Sequence, residues 1–249
     1  MESDEEINCK ALMAKGEKIN IKPSRKHMVV NSAALSPTTS YFNIISQPSI
    51  NLARPSPKLI ILDLNGTLCH RKKTKGKNFN TILRPFVTEF IDHLLKDFLV
   101  MVWSTSRPEN VDDMVNLIFG DRKEKLFAIW ARDKFGFTKE EYERHTEAIK
   151  DLEIVWKALN SQPENHSKLI LDPTNTILID DSDYKTRLQP YNAIHPLEFN
   201  RESLRKGGDS ELKNIIEYLE GMKYQSNVAA YMKDNPYQSK SCCNPCFNL

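Results

Sequence analysis

Apolar residues are thinly scattered over the first 56 positions of the chain and gather abruptly from Lys58 onward. Stretches such as "NSAALSPTTS" show no sustained period and mix Ser, Pro, Lys and Asn, so residues 1–56 are expected to be disordered or weakly ordered. "KLIILDL" then reads as a short, branched, fully apolar run of the kind found in a buried parallel strand. A polar, basic stretch, "CHRKKTKGKNFN", follows as an expected loop. In "RPFVTEFIDHLLK", Phe86, Val87, Phe90, Ile91, Leu94 and Leu95 fall on one helical face, and Pro85 occupies a tolerated first-turn position. "FLVMVW" (98–103) is a second buried strand, and "RPENVDDMVNLIF" is a second helix opened by Pro108.

The alternation continues. "LFAIW" (126–130) is a third strand, "TKEEYERHTEAI" a polar helix, and "DLEIVWKAL" a helix with Leu152, Val155, Trp156 and Leu159 on one face. "TILID" (176–180) is a fourth strand, and "SELKNIIEYLEGM" closes a domain expected over residues 57–222, leaving 223–249 as a tail. Strands alternating with helices predict an α/β fold of three layers, a Rossmann-like parallel sheet with helices on both faces. The stretch from Asp121 to Ile149 has room only for a small cap. Ligands of such sheets sit beyond the carboxyl ends of the strands, which directs attention to Asp63, Ser104, Asp180 and Asp181.

Composition narrows the classes. An apolar fraction of 40% in 249 residues and a mean hydropathy of −0.51 agree with one sizeable domain plus polar segments. The net charge of +2 gives no global case for nucleic acid or a membrane surface. Five cysteines, an odd number, do not make a disulfide framework and point to a reducing compartment. No run approaches a membrane span, and the acidic opening "MESDEEINCK" is unlike a signal or transit peptide, so an intracellular protein, nuclear or cytoplasmic, is expected.

Carboxylates converging at one sheet edge repel unless a cation lies among them, and oxygen-only ligands beside a phosphate site suit Mg²⁺. Lys150 and the Ser104 hydroxyl would balance and orient a phosphoryl group, and an aspartate held there is competent as a nucleophile toward phosphorus. Singly, each residue has a plainer reading: Asp63 as a turn former, Ser104 as a helix cap, Lys150 as a solvated helix residue. In order, however, "DLNGTL", "VWSTS", "IKDL" and "LIDDS" resemble the motifs of the haloacid dehalogenase superfamily of phosphohydrolases. "LRPFVTEFIDHL" resembles the branch of RNA polymerase II C-terminal-domain phosphatases and nuclear-LIM-interactor-interacting-factor-like proteins.

The resemblance spans about residues 58–200 and implies a haloacid-dehalogenase-type fold with these roles. Asp63 would attack phosphorus and form an aspartyl-phosphate. Mg²⁺ would be held by Asp63, the backbone carbonyl of Asn65 and Asp181, with Asp180 as ligand or neighbour. Thr67 would steady the first loop. Ser104 and Thr105 would hold phosphate oxygens, and Lys150 would neutralise nucleophile and phosphoryl group. Arg107 could touch substrate or simply start the helix.

Asn65 departs from the pattern, because the family carries an aspartate there that protonates the leaving oxygen and then activates water. An amide does neither, and general acid–base catalysis is typically worth about 10²–10⁴ in rate. Aryl esters, whose leaving phenol has a pKa of about 10, suffer less than serine esters. Water or His70 could substitute. A small cap favours a phosphoprotein substrate, Ser/Thr in the first instance. The alternative is a weak or inactive binding module on the same fold, like the related mitochondrial translocase receptor; a polynucleotide 3′-phosphatase is a distant third. Arg71, Lys72, Lys73, Lys75 and Lys77 offer a contact for an acidic polymer, or only a solvated loop. "CFNL" outlines a lipidation box at Cys246, against which Asn248 counts.

Overall fold

The computed structural model describes residues 36–74, 79–143, 148–161 and 169–239. At its centre lies a five-stranded, all-parallel sheet built from β1 (Leu59–Leu62), β4 (Leu99–Trp103), β5 (Ala128–Trp130), β6 (Thr176–Ile179) and β7 (Ala193–Ile194), in the order β5-β4-β1-β6-β7. The central strand β1 is wholly buried, which explains its unbroken apolar run. Alternate residues feed two cores. Ile60, Leu62, Val100, Val102, Ile177 and Ile179 face one layer; Leu59, Ile61, Leu99, Met101, Trp103 and Leu178 face the other.

The first layer holds α2 (Val87–Asp97), α3 (Pro108–Phe119) and α8 (Glu211–Met222), whose apolar stripes are buried. On the opposite layer α5 (Leu152–Asn160) buries Leu152, Val155, Trp156 and Leu159, the four residues that the helical spacing singles out. The α/β sandwich with helices on both faces is therefore present as expected. Phe86 is a local exception to the helix pattern. It precedes α2 with φ at 65°, and its ring lies 40% exposed beneath the Lys213 ammonium, 4.0 Å from the ring centre.

Three expectations need correction. The basic stretch after the first strand is an antiparallel hairpin, β2 (Cys69–Lys73) paired with β3 (Phe79–Leu83). Its charged residues mask the alternation. Ordered structure also begins before residue 57: α1 (Thr39–Ile45) buries Tyr41 and Ile45 against Ala229, and Asn51 bridges to Gln225. Past residue 222, α9 (Val228–Asp234) contributes Val228 and Met232 to the main core. The two segments satisfy each other, with Asn227 donating from Nδ2 to the carbonyls of Ile44 and Gln47. Residues 1–35 and the cysteine-rich stretch around Cys246 lie outside the described residues. Shorter helices complete the chain: α4 (Lys139–Glu143), α6 (Asp183–Thr186) and α7 (Arg201–Lys206).

The N-terminal strap is expected to be structural. Tyr41 is 2% exposed and its hydroxyl accepts from the Tyr191 N–H at 3.0 Å. Tyr41→Ala should lower stability by about 3 kcal/mol in urea unfolding. An unchanged midpoint would show that α1 contributes nothing.

Candidate active site

Register brings the first two carboxylates together. Leu62 pairs with Ile179 across β1 and β6, so Asp63 and Asp180 leave neighbouring strand ends side by side. Both are buried, at 2% and 0% exposure. Lys150, two residues before α5 and itself 0% exposed, joins them: its Nζ lies 2.9 Å from Asp63 Oδ1 and 2.6 Å from Asp180 Oδ2. A second ammonium, Lys185 on α6, stands 3.1 Å from Asp180 Oδ1 and 3.7 Å from Asp63 Oδ2. Burial alone would push the Asp180 carboxyl up, but the two lysines and the Ser182 N–H outweigh it and hold the group below the ordinary carboxylate range. For Lys185 burial opposes the charge, and the three aspartates reverse that and raise its pKa.

Asp181 has different surroundings. Thr67 donates from Oγ1 to Asp181 Oδ1 at 3.0 Å and accepts from the Asp181 N–H at 3.2 Å. Burial first, then the charge of Asp63, pushes this carboxyl up to about 6 against the pull of Lys185. The loop carrying Thr67 approaches so closely that only glycine fits at position 66. Its φ is +94°, and a Cβ there would stand 2.6 Å from Asp181 Oδ1. Arg84, 2% exposed, pins the same loop by donating to the Thr67 carbonyl at 3.0 Å and to the Leu197 carbonyl at 2.8 Å while pairing with Asp209.

Carboxylate oxygens of Asp63, Asp180 and Asp181 lie within 4.8 Å of one another. This hard, all-oxygen set suits a small divalent cation. The raised Asp181, which forms no ion pair with either lysine among the described residues, is the member left short of positive charge. The residues therefore fit Mg²⁺.

Ser104 follows β4 and is buried. Its Oγ accepts from the Ser106 N–H at 3.3 Å, while the N-cap position of the helix after it is Arg107, so Ser104 does not cap α3. Asn65 is exposed, and its Oδ1 accepts from the Arg71 N–H at 2.7 Å. The carbonyl end of the side-chain amide thus braces the hairpin, and its NH₂ is the end that can donate to a ligand. Thr105, Ser182 and Lys185 border a cavity of about 500 Å³ that opens between Phe79 on the hairpin and Tyr184 on α6.

Asp63, Lys150, Asp180 and Asp181 are brought together, with Thr67 bracing Asp181 and Asn65 on the adjoining loop. Sequence reasoning missed Lys185 and Arg84. The first sits five residues after Asp180, as the third residue of the short α6, and Arg84 stands just before Pro85; neither carries a local signal of its partner. Arg71 is not available to an acidic polymer. Its guanidinium is 3.0 Å from Asn110 Oδ1 and 3.1 Å from Asp113 Oδ2, and it lies over Phe79. Lys72 is exposed, whereas the Lys73 side chain, Lys75 and Lys77 fall outside the described residues. No described helix is long and apolar enough to cross a membrane.

Residues 58–229 match the NLI interacting factor-like phosphatase family. A protein of Schizosaccharomyces pombe described as an uncharacterized FCP1 homology domain-containing protein is 33% identical over 217 residues, 82% of this chain and 87% of the relative. The ubiquitin-like domain-containing CTD phosphatase 1 of Danio rerio is 24% identical over 68% of the chain, which spans 51% of that protein. The solved structure of Fcp1, an essential RNA polymerase II CTD phosphatase, superposes with a TM-score of 0.51 at 11% identity, covering 72% of this chain and 70% of its own, and shares the fold.

Lys150→Met would leave two buried carboxylates to share the Lys185 ammonium and should cost about 3–5 kcal/mol at pH 7, measured in chelator by urea unfolding. Because the folded-state pKa of Asp180 is depressed, its stabilisation is full above the unfolded value of 3.8 and fades as pH falls through the folded one. The gap between the two proteins should therefore narrow toward acid. A gap independent of pH would rule out the charge-pairing role.

Proposed function

Because the chain belongs to the NLI interacting factor-like phosphatase family, the C-terminal-domain-phosphatase-like branch of the haloacid dehalogenase superfamily, we propose that it is a Mg²⁺-dependent phosphomonoesterase that acts on an intracellular phosphoprotein through Asp63. The observation that carries this reading is Lys150, buried and bonded to both Asp63 and Asp180. Burying a charged trio costs several kcal/mol in desolvation, so its presence at the ligand end of the sheet argues for chemistry over packing.

Lys150 occupies Oδ1 of Asp63, leaving Oδ2 as the less engaged oxygen. Attack by Oδ2 forms the O–P bond of an aspartyl-phosphate while the ester oxygen leaves with the bonding pair. Lys150 and Lys185 offset the negative charge of nucleophile and phosphoryl group. The Ser104 hydroxyl, whose oxygen accepts from the Ser106 N–H, keeps its own proton to donate and would turn it to a phosphoryl oxygen, and Thr105 borders the cavity. Mg²⁺ bound by Asp63, Asp181 and the Asn65 carbonyl, with Asp180 adjoining, would supply the remaining positive charge at the phosphoryl oxygens.

Asn65 sets the leaving-group preference. Its NH₂ can donate a hydrogen bond to the departing oxygen but has no proton to give, and it cannot activate water against the aspartyl-phosphate. Phenolates leave without that help far better than serine alkoxides. The open cavity beside Lys185 admits a polypeptide, which supports a phosphoprotein substrate. The same amide favours a second reading, a module that binds phosphorylated partners and turns them over negligibly.

Phosphate release from an aryl phosphate and a phosphoserine peptide with Mg²⁺ separates the two. The chain should be slow on the aryl ester and nearly inert on the peptide. Asn65→Asp should raise both rates, by about 10²–10⁴, with the larger gain on the peptide, and Asp63→Asn should abolish both. Tight phosphopeptide binding with no turnover, even in Asn65→Asp, would establish the binding module instead.

A further inference from the structure

The cavity beside the reaction centre is larger than a phosphoryl group requires. About 500 Å³ lies within the range of sites that enclose whole ligands. Its lining is also electrically one-sided. Arg107, Arg132 and Lys185 border it, and no carboxylate does so among the described residues. Lys185 is taken up by Asp63 and Asp180. Arg132 is a fixed wall, 4% exposed, donating to the carbonyls of Tyr142 and Glu141 and lying 4.5 Å from the Phe137 ring centre.

Arg107 is held differently. Its side chain is 35% exposed, and its guanidinium pairs at 2.7 Å with Glu143, which is itself 58% exposed on α4. An exposed pair of this kind contributes little and exchanges readily. A planar guanidinium prefers the two-oxygen edge of a phosphate or carboxylate brought in on a ligand that is anchored elsewhere. The Arg132 guanidinium adds to the case: burial lowers its pKa, Tyr142 opposes that, and the like charge of Arg107 lowers it further, a repulsion that an anion between the two arginines would relieve.

We infer that Arg107 is a specificity-determining residue: it receives a second anionic group of a phosphopeptide, and Glu143 is the internal anion which that group displaces. The proposal rests on the reading of Asp63 as the phosphoryl site and adds a substrate class to it, a peptide with a second phosphate or an acidic side chain near the reacting phosphoester. Phe79 and Tyr184, each 44% exposed, line the same cavity and add apolar surface beside the path of the intervening chain.

Titration calorimetry on the full chain with non-hydrolysable phosphonate peptides tests this without requiring turnover. One peptide carries the phosphonate among neutral residues. Others add a second phosphonate or a glutamate within three residues on either side. The doubly charged peptides should bind roughly five- to tenfold more tightly. Arg107→Gln should cut that advantage below about twofold, Arg107→Lys should keep part of it, and Glu143→Gln should widen it. A second phosphonate outperforming glutamate names a multiply phosphorylated peptide; the reverse names an acidic one. Equal binding of all peptides, an advantage that survives Arg107→Gln, or tighter binding of a 3′-phosphorylated oligonucleotide would overturn the proposal. If the binding advantage holds while the parent phosphopeptides release no phosphate, the hydrolase reading fails and the Arg107 assignment stands.

Discussion

Asp63 and Asp180 end adjacent parallel strands, close enough to share one ammonium and too deeply buried for water to separate their charges. Lys150 offsets their mutual repulsion, and together with Lys185 it holds the Asp180 carboxyl below the ordinary carboxylate range. Lys150 comes from a different part of the chain, the turn before α5, where its backbone N–H is fixed by the Lys185 carbonyl at 2.8 Å. That single hydrogen bond links the two segments that supply both site ammoniums. The sheet register, the placement of α5 and the start of α6 are thus all tied to keeping two like charges ionised at one point.

A second network serves Asp181. From Asp209 it runs through Arg84 to the Thr67 carbonyl, and the Thr67 hydroxyl then reaches Asp181. Phe199 adds a 2.6 Å hydrogen bond from its N–H to the Gly66 carbonyl. The first loop is held from outside the sheet, by the end of the hairpin and by the segment after β7, where it meets Asp181. Here the hairpin acts as a structural arm of the site and not as a loose basic loop. Arg71, the first of its basic residues, is spent on α3 and Phe79.

Asn65 stands beside both networks and bonds its side chain to the hairpin instead. Its carbonyl oxygen braces the hairpin through the Arg71 N–H, a role that an aspartate would fill as well. The architecture is therefore neutral toward the substitution. On the proposed reading the loss is confined to proton transfer, and such a site would select among leaving groups by their own acidity. That constraint is chemical and independent of how the substrate is recognised in the cavity.

Much of the molecule was legible in the chain itself. The apolar runs at Leu59–Leu62, Leu99–Trp103 and Thr176–Ile179 declared buried parallel strands because both faces are covered. Asp63, Ser104, Asp180 and Asp181 were legible because strand ends in such a sheet are where ligands bind. The hairpin was hidden by its charges, and α1 and α9 by their shortness: α1 packs on α9, and α9 on α1 and the main core, contacts that no local pattern records. Lys185, Arg84 and the Arg107–Glu143 pair were decided by tertiary structure alone. A charged side chain looks the same in sequence whether it meets water or a buried carboxylate, and only the assembled sheet and loops determine which partner lies within 3 Å.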